Sequence, residues 1–338
     1  MAIATNTRTT YSAVGIREDL SNIIYNISPM DTPFMSSVGK GSCDNTLFEW
    51  QTDELTAAAA NQQIEGNDSM SALAVSEPRR LTNYAQISYK AVQTSGTAEA
   101  VDFAGRKSSQ AYQLAKRAKE IKRDMEKMLL SEDLKVAGDA TTARKSAAVM
   151  SWLGTTSTST SNIVDGSASP VVGIVNNGGS SPAVGPDGTT VASPSGSDVV
   201  LTMAMINLAM ERCFTNGGEP TDLMCDASLK QKISSLGGSV IADLRKEAPG
   251  AAPATAVNAI DVLVTDFGTL KIVPSRLCLS NQLYFFDYDF WSIDYLRPFQ
   301  TETLAKTGDS IKQLMIAEYG LRAKNGLANA AVIGVKDA

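Results

Sequence analysis

The sequence predicts an α+β protein, and three observations carry that expectation. Strand-like stretches gather at 46–95 and again beyond 220, the strongest helical periodicity stands apart from them at 104–134, and no regular βα alternation links the two. The chain has 338 residues, 43% of them hydrophobic, enough for real cores in about two domains.

Composition narrows the chemistry before any motif is sought. Histidine is absent, so a Ser-His-Asp or Cys-His nucleophile, a His-ligated zinc and an imidazole proton shuttle are all unavailable. Acid–base work by Asp, Glu, Lys or Tyr stays open. A net charge of −6, from thirty basic and thirty-six acidic residues, argues against the whole chain condensing on nucleic acid or on an anionic membrane. Cys43, Cys213, Cys225 and Cys278 are scattered without ligand-like spacing and read as small core residues in a reducing compartment. Met1 to Arg8 form no apolar run, and no window nears the ~18 apolar residues of a membrane span. A soluble protein made without export is expected.

The first sixteen residues are Thr-rich and polar, an extended arm in need of a partner surface. Helical spacing of Leu20, Ile23, Ile24 and Ile27 predicts a short helix over 16–27, ended at Ser28-Pro29. Asp31-Thr32-Pro33-Phe34 starts another short turn, because proline fits the first helical turn and Asp31 or Thr32 can cap it. Leu47–Gln51 reads as a strand, and Asn83–Val92 as a second in which Tyr84, Gln86, Ser88 and Lys90 alternate with Ala85, Ile87, Tyr89 and Ala91. The long polar, Ala-rich stretch between them includes Gln62, Gln63 and Glu65. So long a loop is uncommon within a compact domain and is either disordered or held by another molecule, so 45–95 reads as a hairpin that leaves its own core.

The longest helix is predicted over 104–134, with Leu114, Ala118, Ile121, Met125 and Met128 as one apolar stripe. Its other faces carry eight basic residues, among them Lys116, Arg117 and Arg123, against three acidic ones up to Met128. The ordinary reading is a solvated face with ion pairs such as Lys116 with Glu120 or Asp124 with Lys127; the sharper one is a helix that crosses an interface or faces polyanion. Residues 151–198 are twenty-nine parts in forty-eight Ser, Thr, Gly and Pro, which cannot bury a large core and suggests an exposed insertion with some short strands. A second folded unit follows: a helix from about 200 to 213 stopped by Asn216-Gly217-Gly218, a buried strand at 222–225, a helix over 227–236, and two strands around Gly268. Met203, Met205 and Met210 in the first of these helices are adaptable core filler. The stretch 313–335 reads as two strands joined at Asn325-Gly326, the strongest short hairpin signal in the chain.

Motifs for chemistry are sparse. Val38-Gly39-Lys40-Gly41-Ser42 resembles a Walker fragment, but Phe34 occupies the leading glycine position and Gly41 follows the lysine. Asp287 and Asp289 stand among aromatics, as in a sugar-cleaving site, yet strand alternation explains them more cheaply, with Phe286, Tyr288 and Phe290 on one face and both acids on the other. Trp291 interrupts any EF-hand spacing. Neither metal nor cofactor is expected.

The order of elements is more informative than any motif. An arm with Ser28-Pro29-Met30-Asp31-Thr32-Pro33-Phe34 leading to Gly39-Lys40-Gly41, a long hairpin, Gly96-Thr97-Ala98-Glu99-Ala100-Val101 before a long helix, an α+β unit, and Ala317-Glu318-Tyr319-Gly320-Leu321 before Asn325-Gly326 together resemble a tailed-bacteriophage major capsid protein of the Hong Kong-type fold, over nearly the whole chain. The resemblance implies an N-terminal arm at 1–44, an extended loop hairpin at 45–103, a spine helix and part of a peripheral domain at 104–150, an insertion at 151–198, an axial domain at 199–280 and a return to the peripheral domain at 281–338. It implies a non-enzymatic subunit that self-assembles into hexamers and pentamers of an icosahedral head around double-stranded DNA, bound non-specifically and without membrane. A virion capsid assembled in the host cytoplasm is implied, with a portal, a decoration protein and, since no charged helical pro-segment precedes the arm, a separate scaffolding protein. Contacts between subunits are expected at Gln62, Gln63, Glu65, Arg79, Arg80, Lys116, Arg117 and Arg123. Two alternatives remain, an oligomeric virion surface or fibre protein and a carbohydrate-active enzyme using Asp287 or Asp289.

Overall fold

The computed structural model describes residues 31–53, 55, 58–67, 77–103, 105–153, 163–165, 172–173, 187–189, 191, 197–236 and 260–337. The helix expected over 16–27 and most of 151–198 lie outside them. In chain order the chain forms α1 (Pro33–Ser37), β1 (Gly39–Ser42), β2 (Leu47–Thr52), β3 (Arg79–Tyr84), β4 (Gln86–Ser95), α2 (Gly96–Ala100) and α3 (Ser109–Leu129). Then come β5 (Ile163–Asp165), β6 (Val172–Gly173), β7 (Val199–Val200), α4 (Met203–Thr215), β8 (Asp222–Cys225), α5 (Ala227–Leu236), β9 (Val262–Thr265) and β10 (Gly268–Pro274). The last elements are β11 (Gln282–Phe286), β12 (Trp291–Thr303), β13 (Ser310–Ala323), β14 (Ala330–Ile333) and β15 (Val335–Lys336). Helices and strands are mixed and largely segregated, the α+β class.

Two sheets organise the molecule. One has the order β1-β12-β13-β4, the other β6-β5-β14-β11-β8-β10-β9. The centre of the second is buried on both sides, and all five residues of β11 are buried, which explains the apolar run Leu283–Phe286. Leu283 and Phe285 of β11 meet Met205, Ile206, Ala209 and Ile233 of α4 and α5. Tyr284 and Phe286 face the other way, into a core shared with Phe34 of α1, Met125 and Leu129 of α3, and Trp291. Phe34 is fully buried, its ring 4.9 Å from Phe286 and 6.3 Å from Trp291.

Several local expectations are corrected by tertiary contacts. α3 is shorter than 104–134, because Ser108 caps it, accepting from the Ala111 N–H, while Glu99 of α2 accepts from the N–H groups of Ser109 and Gln110. Its deepest stripe is Ile121, Met125 and Leu129, with Leu114, Ala118 and Met128 half-buried. Neither Asp31 nor Thr32 caps α1; the carboxylate of Glu126 on α3 does so from the core. The strand expected over 83–92 is two strands, broken at the buried Ala85, with β3 pairing β2 and β4 pairing β13. On β4 the polar side faces α3, through Lys90 to Asp124 and Thr94 to Gln110, leaving Ile87 and Tyr89 exposed.

The hairpin expected at Asn325-Gly326 does not form. Asn325 accepts from the Leu327 N–H in a 3-10 turn, and the chain crosses there from one sheet to the other. The hairpin of this region is β12 with β13, turned at 304–309, which the sequence reading missed although Thr307-Gly308-Asp309 carries turn chemistry. The Walker-like segment is β1, parallel to β12, and a Cβ on Gly41 would lie 2.2 Å from Asp294 Oδ1, so this glycine serves close packing of strands.

Candidate assembly surfaces

The β2–β3 hairpin is fastened at its root. Trp50 Nε1 donates to the Ala323 carbonyl at 2.8 Å, and Asn83 Nδ2 donates to the Leu321 carbonyl at 2.6 Å and to Ser146 Oγ at 3.0 Å. Arg322 of β13 lies 5.8 Å from the ring centres of both Phe48 and Trp50 and pairs with the buried Asp294. Gly320 lets Phe48 approach: a Cβ there would sit 2.4 Å from the ring. On the other flank Lys135 Nζ donates to the Thr82 and Asp187 carbonyls, and burial pulls its pKa below the usual lysine range. The hairpin's direction is therefore set by its own core.

Beyond this root the described residues make little contact with the rest of the chain. Leu55 and Ile64 are 94% and 85% exposed. Gln62, Gln63 and Glu65 are exposed too, around a turn closed from the Asn67 N–H to the Ile64 carbonyl with Gly66 at φ 82°. Arg79 and Arg80 belong to the root, Arg80 paired with Glu49 at 2.7 Å.

On α3, Arg117 pairs with Glu120 and Lys90 with Asp124, in place of the expected Lys116–Glu120 and Asp124–Lys127 pairs. Lys116, Lys119, Arg123 and Lys127 follow at spacings of three, four and four and form a cationic stripe about 16 Å long opposite the Ile121–Met125 face. Lys116, Lys119 and Lys127 are exposed and Arg123 half-buried, and none of the four has an ion pair among the described residues. No hydrogen bond or ion pair joins Gln62, Gln63 or Glu65 to Lys116, Arg117 or Arg123 within the described residues. The anticipated contact residues fall into two groups on separate elements of one chain.

Asp287 and Asp289 do not form a catalytic pair across a cleft. They occupy one 3-10 turn, not a strand, where Asp287 accepts from the Asp289 N–H and burial pushes its carboxyl above the usual range. The Asp287 N–H is in turn held by Asn329 at 2.7 Å.

Solved structures share this architecture. The cyanophage A-1(L) capsid asymmetric unit matches with a TM-score of 0.68 at 12% identity, covering 95% of this chain and 97% of that one. The capsid of the native GTA particle computed with C5 symmetry matches with a TM-score of 0.60 at 10% identity, covering 98% and 99%. A fastened hairpin, a long helix across an open sheet and a second two-faced sheet thus give the chain the Hong Kong-type fold of these capsid structures. The family model described as SU10 major capsid protein matches residues 3–336, so the chain belongs to that family. The major capsid protein of Escherichia phage Phieco32 is 29% identical over 341 residues, 94% of each chain. The protein is a structural subunit of a bacteriophage virion capsid, and the enzymatic alternative falls with that membership.

Proposed function

We propose that the chain forms the hexamers and pentamers of an icosahedral head around double-stranded DNA, with the extension of its hairpin lying on a neighbouring subunit. The observation that carries this reading is the contrast between a hairpin root bonded to β13 and an extension that exposes Leu55 and Ile64. Charge points to where it lies. Residues 53–77 hold Asp53, Glu54, Glu65, Asp68 and Glu77 and no Lys or Arg, complementary to the cationic stripe of α3. In this reading 1–44 is the arm, 45–103 the extended loop with its β4 end paired in the four-stranded sheet, 104–150 the spine, 151–198 an insertion, 199–280 the axial domain and 281–338 the return, with β11 and β14 contributed to the seven-stranded sheet. Assembly in the host cytoplasm with a separate scaffolding protein, a portal and a decoration protein belongs to the same proposal.

Electron microscopy of the purified chain tests it. The wild type should give shells, tubes or capsomer rings, and deletion of 55–75 should leave a folded, soluble subunit that gives none. Reversing Lys116, Lys119, Arg123 and Lys127 to Glu should also stop assembly, and reversing the five acids of 53–77 to Lys in the same chain should restore it. A wild type that stays monomeric at high concentration with a scaffold present refutes assembly itself. Failure of the double reversal to rescue refutes the pairing alone.

A further inference from the structure

Glu126 is a buried carboxylate with no part in the contacts proposed above. It sits on α3 with no exposed surface, and its two oxygens accept from the N–H groups of Phe34 and Met35, each at 2.8 Å. Among the described residues no cation pairs with it. The titratable groups that face it are the thiol of Cys278, on the loop between β10 and β11, and the phenol of Tyr288, in the turn between β11 and β12. Burial raises both above their ordinary values, so neither is ionised near neutral pH. Nearer solvent, Asp31 and Arg276 pair at 3.2 Å with both side chains largely exposed, a weak tie.

The segment that Glu126 holds is short and enters the core through few groups. Thr32 supplies no side-chain cap, Phe34 inserts among Phe286, Tyr288 and Trp291, and Val38 is already extended before β1. If the segment lifts away, two N–H groups and one carboxylate pass together from the core to water. We propose that Glu126 is a protonation-controlled latch on the 31–38 segment, tightening its docking on α3 in acid and loosening it in base.

The sign follows from linkage. Burial raises the docked carboxyl above its ordinary 4.5, and the two N–H bonds offset this only in part. The docked state therefore binds the proton more readily than the lifted state, in which the carboxyl is solvated. Docking is strongest below the ordinary value and loses that advantage as pH rises through the raised one. Because this segment directly follows residues 1–30 in the chain, proton concentration acts on how the first described residues are seated.

Hydrogen exchange of the full chain, followed by mass spectrometry on peptides covering 31–38 and corrected for intrinsic rates, reads the docking equilibrium. As the pH falls from 8 toward the ordinary carboxyl value, protection of the Phe34 and Met35 amides should rise in the wild type. It should stay level in Glu126→Gln, which keeps an acceptor and cannot titrate, and be lost throughout in Glu126→Ala. A level wild-type profile, or a wild-type slope retained in Glu126→Gln, overturns the latch. The Gln comparison decides the matter even where the Ala variant fails to fold.

Discussion

Replacing Gly320 with alanine tests whether the hairpin root is set by packing against β13. The added Cβ would meet Phe48 Cε1 at 2.4 Å, Cζ at 2.6 Å and the Tyr84 carbonyl oxygen at 3.0 Å. Phe48 is 5% exposed, stacked on Trp50 and flanked by Arg322, so its ring has little room to withdraw. Overpacking of this kind costs about 1–3 kcal/mol. Removing the ring in Phe48→Leu takes away the two nearest atoms and creates a cavity of its own. A double-mutant cycle separates the effects: Gly320→Ala in the Phe48→Leu background should cost at least about 1 kcal/mol less than in the wild type. Chemical denaturation supplies the four stabilities, and hydrogen exchange on β2 and β3 shows whether the loss is concentrated at the root. Costs that add within error, or a Gly320→Ala protein as stable as the wild type, would refute the claim that Phe48 requires glycine at this position.

Other consequences are equally direct. Glu318, 4% exposed, holds Arg144 and, at 2.8 Å, Arg297; Glu318→Gln should destabilise by about 1–3 kcal/mol in denaturation experiments, toward the lower end because both guanidinium groups retain solvent. Cys43 is pushed up to about 11 and Cys225 to about 12 by burial, with Cys213 and Cys278 higher still. All four thiols should therefore ignore a thiol reagent at pH 8 in the folded subunit and react on unfolding, and fast labelling of any one in the native state would contradict its packing. Trp50→Phe keeps the stacking but removes the bond to the Ala323 carbonyl and should cost about 1 kcal/mol by the same denaturation assay.

Where a feature depends on near neighbours, sequence chemistry anticipated it well. α5 spans 227–236 as expected, Asn216-Gly217 ends α4 with Gly217 at φ 78°, and β9 and β10 pair antiparallel about Gly268. Pro33 opens α1, as its ring conformation and missing N–H favour. The proposed contact surface was legible in part, since polarity alone exposes Gln62, Gln63, Glu65 and Lys116. The acids of 53–77 could have been read beside them as one charged run, but the partner proposed for them on another subunit could not.

The class of fold, the order of its elements and the lack of histidine chemistry were determined by local propensity, periodicity and composition, which act over a few residues. The division of 83–92 at Ala85, the inward polar face of β4, the passage of Asn325-Gly326 between sheets and the capping of α1 by Glu126 were decided only by tertiary structure. Each depends on groups far apart in the chain: Thr46 with Ala85, Asp124 with Lys90, Gly218 with Ala328, Glu126 with Phe34. Alternation and turn propensity say that a strand has two faces or that a dipeptide can bend, whereas the face buried and the sheet joined are chosen by whichever distant surface satisfies the backbone and excludes water.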